Sequence, residues 1–164
     1  SFQRIADFAA ERDKEIVLEN SVAYWTGISD DQRYETVDWS NQNIHYGTDP
    51  EEWIKICEDV NRPNVGICLD TSHSCTYAHM YKEDERVDVL FRFLERPDLI
   101  KHVHWSDNYL YDERGRKDSH EILGRGTEPI EFHRKIKGLD VIILIETIST
   151  IPELEEQLKF VASL

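Results

Sequence analysis

Short apolar segments alternate with amphipathic segments along this chain. Runs rich in Val and Ile lie around Leu18, before Asp70, around Val103 and before Glu146. Three of the four lack alternating polar residues, which is typical of parallel strands buried on both faces of a sheet. The pattern therefore predicts four strands.

The segments around these runs have helical spacing. FQRIADFAAERD places its apolar residues on one face, and TDPEEWIKICEDV has a capping residue followed by Pro50 in its first turn. Further helices are predicted in EDERVDVLFRFLER, TEPIEFHRKIKG and TIPELEEQLKFVASL. A helix followed by four strand–helix units predicts one α/β domain over residues 1–164, with a parallel sheet.

Two connections are too long to be simple turns. Residues 20–48 and 105–128 each follow the carboxyl end of a predicted strand. Connections of this length are usually functional loops, and ligands bind at the carboxyl ends of parallel strands. We therefore expect a site at this end of the sheet.

Composition narrows the range of functions. The chain has 19 Lys and Arg against 33 Asp and Glu, a net charge of -14, which favours a small-molecule role over binding to a phosphate backbone. Since no apolar run approaches the ~20 residues of a membrane helix, we expect no membrane span. The three cysteines form no paired framework, which predicts reduced thiols and a cytoplasmic location.

An acid or a histidine stands at the end of every predicted strand. These residues are Glu19, Asp70, His104 and Glu146. Because the carboxyl ends of parallel strands converge, the four side chains are expected to meet. Oxygen donors with one imidazole suit Mn²⁺, Mg²⁺, Co²⁺ or Zn²⁺, and a cation would offset the cost of burying three carboxylates together.

A second group of donors lies close by in sequence. His73 follows Asp70 by three residues, and DSH supplies Asp118 and His120, which share a side if the segment is extended. These three residues are candidates either for another ion or for orienting a substrate.

The remaining aromatic residues allow two interpretations. Trp25, Trp39 and Trp105 line a ligand pocket or pack in the core and at its rim. His45 and His133 are predicted to lie at the surface, His133 on a helix face.

Five motifs, in order over residues 16–147, resemble those of the xylose isomerase-like TIM-barrel superfamily. IVLEN resembles its LEN strand end, VGICLDTSH its DTxH, and HVHWSDN its HxxD(N). RKDSHEILGRG resembles DxHxxLGxG, and IILIET resembles the final ILET. This superfamily joins sugar and sugar-phosphate isomerases and epimerases with endonuclease IV-type enzymes (AP endonuclease family 2).

The resemblance implies roles for the same side chains. The shared metal ligands of the family match Glu19, Asp70, His104 and Glu146. In endonuclease IV-like members an additional zinc is held at the positions of His73, Asp118 and His120. In isomerase-like members the position of His73 contacts the sugar, and the two glutamates transfer protons at the substrate carbon. Trp105 and Asp107, in HVHWSDN, are the further substrate-binding candidates.

The resemblance also implies an incomplete barrel. The match corresponds to the last four βα units of a TIM (β/α)8 barrel, which typically needs ~250 residues. A half-sheet would leave two open edges and an exposed core. We therefore predict that the chain is a fragment, or that it pairs with another half-barrel, either a second copy or a separate chain.

Three functions remain open at this point. The first is a divalent-metal-dependent isomerase or epimerase of a sugar or sugar phosphate. The alternative is an endonuclease IV-like zinc phosphodiesterase that acts on DNA, which the net charge disfavours and the second donor group favours. The third is a non-catalytic half-barrel that binds a partner or a ligand.

Overall fold

The computed structural model describes residues 1–25, 27–29, 32–38 and 45–164. Four strands are present, as the apolar runs predict. They are β1 (Ile16–Glu19), β2 (Val65–Asp70), β3 (Ile100–Trp105) and β4 (Ile142–Ile145). Trp39 lies outside the described residues.

The described residues form six helices and two short 3-10 turns. The helices are α1 (Phe2–Ala10), α2 (Pro50–Val60), α3 (Thr71–Ala78), α4 (Arg86–Arg92), α5 (Ile130–Lys137) and α6 (Ile151–Ser163). The 3-10 turns are Tyr34–Thr36 and Glu113–Arg116. Five of the helices are those predicted, whereas α3, which begins directly after β2, is new. None of the described helices is long and apolar enough to cross a membrane.

The four strands form one parallel sheet in the order β1-β2-β3-β4. This confirms the predicted α/β class and the half-barrel arrangement. One face of the sheet packs against the helices through apolar side chains that are buried or nearly so. Examples are Ile67, Leu69, Val103, Phe93 and Phe132.

The opposite face of the sheet is open, because no described element covers it. Val17 on β1 and Ile142 and Leu144 on β4 are 39%, 70% and 49% exposed. β2 is buried along its whole length, whereas burial alternates along β1 and β4. The prediction of burial on both faces therefore holds for a central strand and fails at the two edges.

Candidate metal centre

The parallel register brings the strand-terminal donors to one end of the open face. Asp70 of β2 pairs with His104 of β3, so their side chains stand next to each other. Glu19 ends β1 two residue positions earlier, opposite Cys68. Glu146 follows β4, and its amide donates a hydrogen bond to the carbonyl of Trp105 at 3.0 Å. We call Glu19, Asp70, His104 and Glu146 the mouth group.

The mouth group converges on the imidazole of His104. Its Nδ1 lies 3.0 Å from Oε1 of Glu19, 2.8 Å from Oε2 of Glu146 and 3.8 Å from Oδ2 of Asp70. One ligand atom from each of the four residues lies within 4.8 Å of the others. Three carboxylates around one nitrogen exceed what a single imidazole proton can satisfy, whereas a divalent cation can accept all four donors.

Burial makes this arrangement fit a cation. Asp70 is fully buried, and its Oδ2 accepts no hydrogen bond from the described residues. Oε2 of Glu146 also accepts none, although it lies 2.8 Å from Nδ1 of His104, which is hydrogen-bonded with Glu19 instead. Burial raises the pKa of Asp70 to about 6, although the neighbouring His73 opposes the shift. An orphaned buried oxygen of this kind needs a positive partner.

Asn20 holds the mouth group in place, although the sequence analysis gave it no role. Its amide accepts from the Asp70 amide at 2.6 Å and donates to the Asp70 carbonyl at 3.0 Å. Asn20 therefore joins the ends of β1 and β2. Its position directly after Glu19, in the LEN motif, is the signal that identifies it.

A second group of donors lies beside the mouth group. Nε2 of His73 is 3.3 Å from Oδ2 of Asp118, and Nε2 of His120 is 3.0 Å from Oδ1 of the same carboxylate. Asp70 is close enough to join both groups. We call His73, Asp118 and His120 the second group, and both groups are assembled from the residues that the sequence predicts.

The hydrogen bonds of His73 leave one ring nitrogen, Nε2, available to bind a metal ion. Its Nδ1 lies 2.7 Å from the carbonyl of Asn20, which can only accept, so Nδ1 carries a proton and donates. Nε2 faces Asp118 and Asp70. A histidine held in this way by a backbone carbonyl is typical of metal ligands, because the outer hydrogen bond fixes the tautomer.

The second group is strongly coupled electrostatically. Burial would lower the pKa of His73, but the hydrogen bond with Asp118 and the charge of Asp70 raise it to about 9. Burial would raise the pKa of Asp118, yet hydrogen bonds from His120 and His73 hold it well below its usual range. Without a cation, a proton on His73 supplies the positive charge in this group.

Three further side chains are buried, and for His133 this contradicts the predicted surface position. Trp105 is buried on the helix side of the sheet, where its Nε1 donates to Nδ1 of His133 at 3.1 Å. His133 is buried, not at the surface, because α5 turns this face toward the core. Asp107 is 2% exposed and its oxygens accept backbone hydrogen bonds. Neither Trp105 nor Asp107 is placed to contact a substrate at the mouth.

Trp25 is half-buried beside α3. Its Nε1 donates to the carbonyl of Thr76 at 3.1 Å, and the guanidinium of Arg116 lies 4.5 Å from the centre of its ring. It packs at the rim of the fold, which is one of the two interpretations that the sequence left open. His45 is exposed, as predicted.

Two depressions adjoin the donor groups. One of about 640 Å³ is bordered by Asp118, His120 and Glu146, and another of about 580 Å³ by Glu19, His73 and Asp118. Both groups of donors therefore face space that a small substrate can enter.

Comparison with known proteins identifies the family of the chain. A family model described as xylose isomerase-like TIM barrel matches residues 1–164. A protein named probable endonuclease 4 from Mycoplasma mobile is 27% identical over 129 residues, 73% of this chain and 45% of the relative. A protein of the same name from Mesomycoplasma hyopneumoniae is 33% identical over 86 residues, 52% of this chain and 31% of the relative.

Among solved structures, the fold is similar to that of a D-tagatose 3-epimerase-like protein. The TM-score is 0.60 at 24% sequence identity, with 99% of this chain and 53% of the other chain covered. At this identity the likeness concerns the fold alone. The chain thus spans half or less of the curated relatives and about half of the solved structure. Since the family model covers the whole chain, the protein belongs to the xylose isomerase-like TIM-barrel family.

Proposed function

We propose that this chain carries the metal-binding part of a divalent-metal-dependent isomerase or epimerase that acts on a sugar or a sugar phosphate. The support comes from the mouth group, whose donors suit Mn²⁺, Co²⁺, Mg²⁺ or Zn²⁺. When bound, such an ion supplies polarisation of a substrate carbonyl and the neighbouring hydroxyl.

The two glutamates of the mouth group are suited to proton transfer. Glu19 and Glu146 approach His104 from the two edge strands, and the side chain of each is 41% exposed. Each carboxylate has two oxygens, so one can face the ion while the other accepts a proton from the substrate carbon. In this proposal one glutamate removes the proton and the same or the other glutamate returns it.

The negative charge around the two depressions favours a sugar over a nucleic acid as the substrate. Among the described residues that border the two depressions, Arg125 is the single Lys or Arg, while the acids are Glu19, Asp118, Glu121, Glu146 and Glu153. Arg125 is already paired with Glu153 at 3.1 Å and with Glu156 at 2.6 Å. A nucleic-acid backbone needs cations that contact phosphates. A neutral sugar makes no such demand, so within the proposed substrate class the charge favours sugars over their phosphates.

The proposal is tested by deuterium incorporation next to the carbonyl, measured by NMR on a panel of ketoses, aldoses and their phosphates. We expect metal-dependent exchange that chelation abolishes and Mn²⁺ or Co²⁺ restores. Glu146→Gln should reduce the rate at least about 100-fold, since it removes a proton-transfer group. The exposed Glu131→Gln serves as the control, with an unchanged rate. A flat panel with metal bound would contradict the proposal.

The second group favours one other candidate, an endonuclease IV-like phosphodiesterase. His73, Asp118 and His120 offer a further ion site that a one-metal isomerase does not need, and the curated relatives are named probable endonuclease 4. Clustered ions would then activate water and stabilise charge on the phosphate oxygens. Chelator-sensitive nicking of a duplex with one abasic site would support this candidate. An intact duplex beside an active sugar panel would exclude it.

A further inference from the structure

The segment that carries Asp118 and His120 is a long loop, whose only regular element is the 3-10 turn Glu113–Arg116. His120 also has φ of 43°, in the left-handed region that residues other than glycine rarely adopt. A strained backbone of this kind persists only where its surroundings determine it. Some part of the structure must therefore fix this loop next to His73.

Asp107 accepts the hydrogen bonds that hold together the end of the loop at residues 124–128. Its Oδ1 accepts from the amides of Asn108 at 2.9 Å and Glu128 at 3.3 Å. Its Oδ2 accepts from the amides of Gly124 and Gly126, both at 3.0 Å. One buried carboxylate thus accepts from four backbone N–H groups, which in a strand or helix would be bonded to backbone carbonyls.

The four bonds require a carboxylate at this position. An asparagine would place its NH₂ group against two backbone amides whichever way the side chain is turned, because both oxygens of Asp107 act as acceptors. The turn also requires glycine, since a Cβ on Gly126 would lie 2.2 Å from Oδ1 of Asp107. The GRG sequence at residues 124–126 and Asp107 are therefore one structural unit.

Asn108 holds the residues on either side of Asp118. Its Nδ2 donates to the carbonyl of Lys117 at 3.0 Å, and its Oδ1 accepts from the hydroxyl of Ser119 at 2.9 Å. The same Nδ2 reaches the hydroxyl of Ser72 on α3 at 3.0 Å. Because Ser72 is next to His73, this contact links the loop directly to the histidine that it must meet.

The main chain of Asp107 fixes the residue after His120. The Asp107 amide donates to the carbonyl of Glu121 at 2.8 Å, and the Glu121 amide donates to the carbonyl of Asp107 at 2.9 Å. Asp118 and His120 therefore lie between positions that Asp107 and Asn108 determine.

The buried cluster of Asp107, Glu128 and His133 has donor atoms close enough for a metal, and the oxygens of Glu128 accept no hydrogen bond from the described residues. The hydrogen bonds of Asp107 and His133 nevertheless argue against a metal here. All four acceptor directions of Asp107 are used. Trp105 donates to Nδ1 of His133, so a neutral His133 carries its proton on Nε2, which then has no lone pair for an ion. The cluster is better suited to supporting the loop.

We propose that Asp107 and Asn108 are positioning residues for the second group, which hold Asp118 and His120 in the geometry that binds a divalent cation together with His73. This inference goes beyond the proposed isomerase function, whose ion binds at the mouth group, and it requires an ion at the second group as well. It assigns the HVHWSDN motif a role in organising the loop. Asp107 itself does not contact the substrate.

The test is a zinc titration of the chain followed by the imidazole NMR signals of His73 and His120, with His104 reporting on the mouth group in the same sample. Asp107→Asn should weaken zinc binding at the second group at least about tenfold, the effect typical of outer residues around a metal. Binding at the mouth group should not change. In the metal-free protein, amide exchange at Gly124 and Gly126 should rise at least about tenfold. Exposed Asp140→Asn is the matched control.

Equal zinc affinity at the second group in Asp107→Asn would overturn the inference, and so would a parent chain whose His73 and His120 signals do not respond to zinc. If Asp107→Asn does not fold, Ser119→Ala decides, because it removes one hydroxyl from an exposed loop. Its zinc affinity at the second group should fall about threefold, as one hydrogen bond near 0.6 kcal/mol implies, and no change would overturn the inference. No substrate is involved, so an inactive sugar panel contradicts the proposed function alone.

Discussion

At the scale of single residues, His79 makes the stability of the chain sensitive to acid. It is 1% exposed, its Nε2 lies 2.9 Å from the carbonyl of Tyr109, and its Nδ1 is buried without a hydrogen bond from the described residues. Burial, with the nearby charge of Arg86, lowers its pKa from 6.5 to about 3. The unfolded chain therefore binds a proton that the folded chain does not, and stability falls as the pH drops below about 6.5.

The expected loss at His79 is about 2 kcal/mol between pH 7 and pH 5, since stability falls by about 1.4 kcal/mol for each pH unit below the unfolded pKa of 6.5. It is measured by urea unfolding of the metal-free chain at both pH values. His79→Gln, which keeps a donor for Tyr109, should lose about 2 kcal/mol less than the parent over the same range. Exposed His45→Gln should follow the parent. Parallel curves for the parent and His79→Gln would refute this assignment.

At the same scale, we expect the charge of Glu146 to determine how tightly the mouth group holds a metal ion. Glu146→Gln keeps the shape of the side chain but removes the negative charge 2.8 Å from Nδ1 of His104. We expect zinc or manganese affinity at this group to fall at least about tenfold, because hard cations bind carboxylates in preference to amides. Competition with a chelator measures the change. Glu131→Gln, an exposed substitution on α5, should retain full affinity, and equal affinities would count against the mouth group as the ligand set.

At the scale of elements, the N-terminus of α2 depends on one capping side chain. Asp49 accepts hydrogen bonds from the amides of Glu51 at 2.9 Å and Glu52 at 3.0 Å, and the hydroxyl of Tyr77 on α3 also donates to it. The cap therefore closes α2 and joins it to α3. The helix in turn reaches β1, where Trp53 donates to the carbonyl of Leu18 at 2.8 Å.

Asp49→Ala should lower the free energy of unfolding by about 2 kcal/mol, the upper part of the range for a lost helix cap, because the Tyr77 hydroxyl also loses its partner. Thermal and urea unfolding measure it. Asp59→Ala on the same helix removes an exposed ion pair with Lys55 and should cost no more than about 0.5 kcal/mol. If both variants lose the same stability, the cap is not what stabilises this end of α2.

At the scale of the whole molecule, the open face and the edges β1 and β4 favour association. Ile142 and Leu144 project from the uncovered face, and α1 and α6 expose Phe8 and Ile151. In a closed barrel such surfaces would be covered by the remaining strands and helices. The half-barrel therefore presents an apolar surface that a second copy or a complementary half can bury.

We expect the isolated chain to self-associate as its concentration rises, measured by light scattering coupled to size-exclusion chromatography. Replacing Ile142 and Leu144 by Lys should shift the chain toward the monomer, because charges on this face oppose its burial. Ile130→Lys, at an exposed position on α5, should leave association unchanged. A chain that stays monomeric at high concentration would show that the open face does not drive association.

The sequence alone determined the strands, five of the helices and both groups of donors. Apolar runs fix where the strands lie along the chain. The parallel arrangement implies that Glu19, Asp70, His104 and Glu146 meet, because the carboxyl ends of parallel strands lie at one end of the sheet. The five motifs indicated the family and, with it, the barrel fold. α3 escaped prediction because the polar TSHS segment after Asp70 has weak helical periodicity, and helix formation there depends on tertiary packing.

Only the tertiary structure decided what the side chains around these donors do. In HVHWSDN an aromatic residue and an acid follow His104 closely. The side of the sheet on which each lies depends on the register of β3 and on the loop that returns to Asp107. His133 is polar on a helix, so the pattern predicts exposure, yet a buried Trp105 indole supplies its partner. Donors at strand ends follow from local periodicity, whereas positioning contacts such as those of Asp107 join residues that are distant in sequence and form only when the loop folds back.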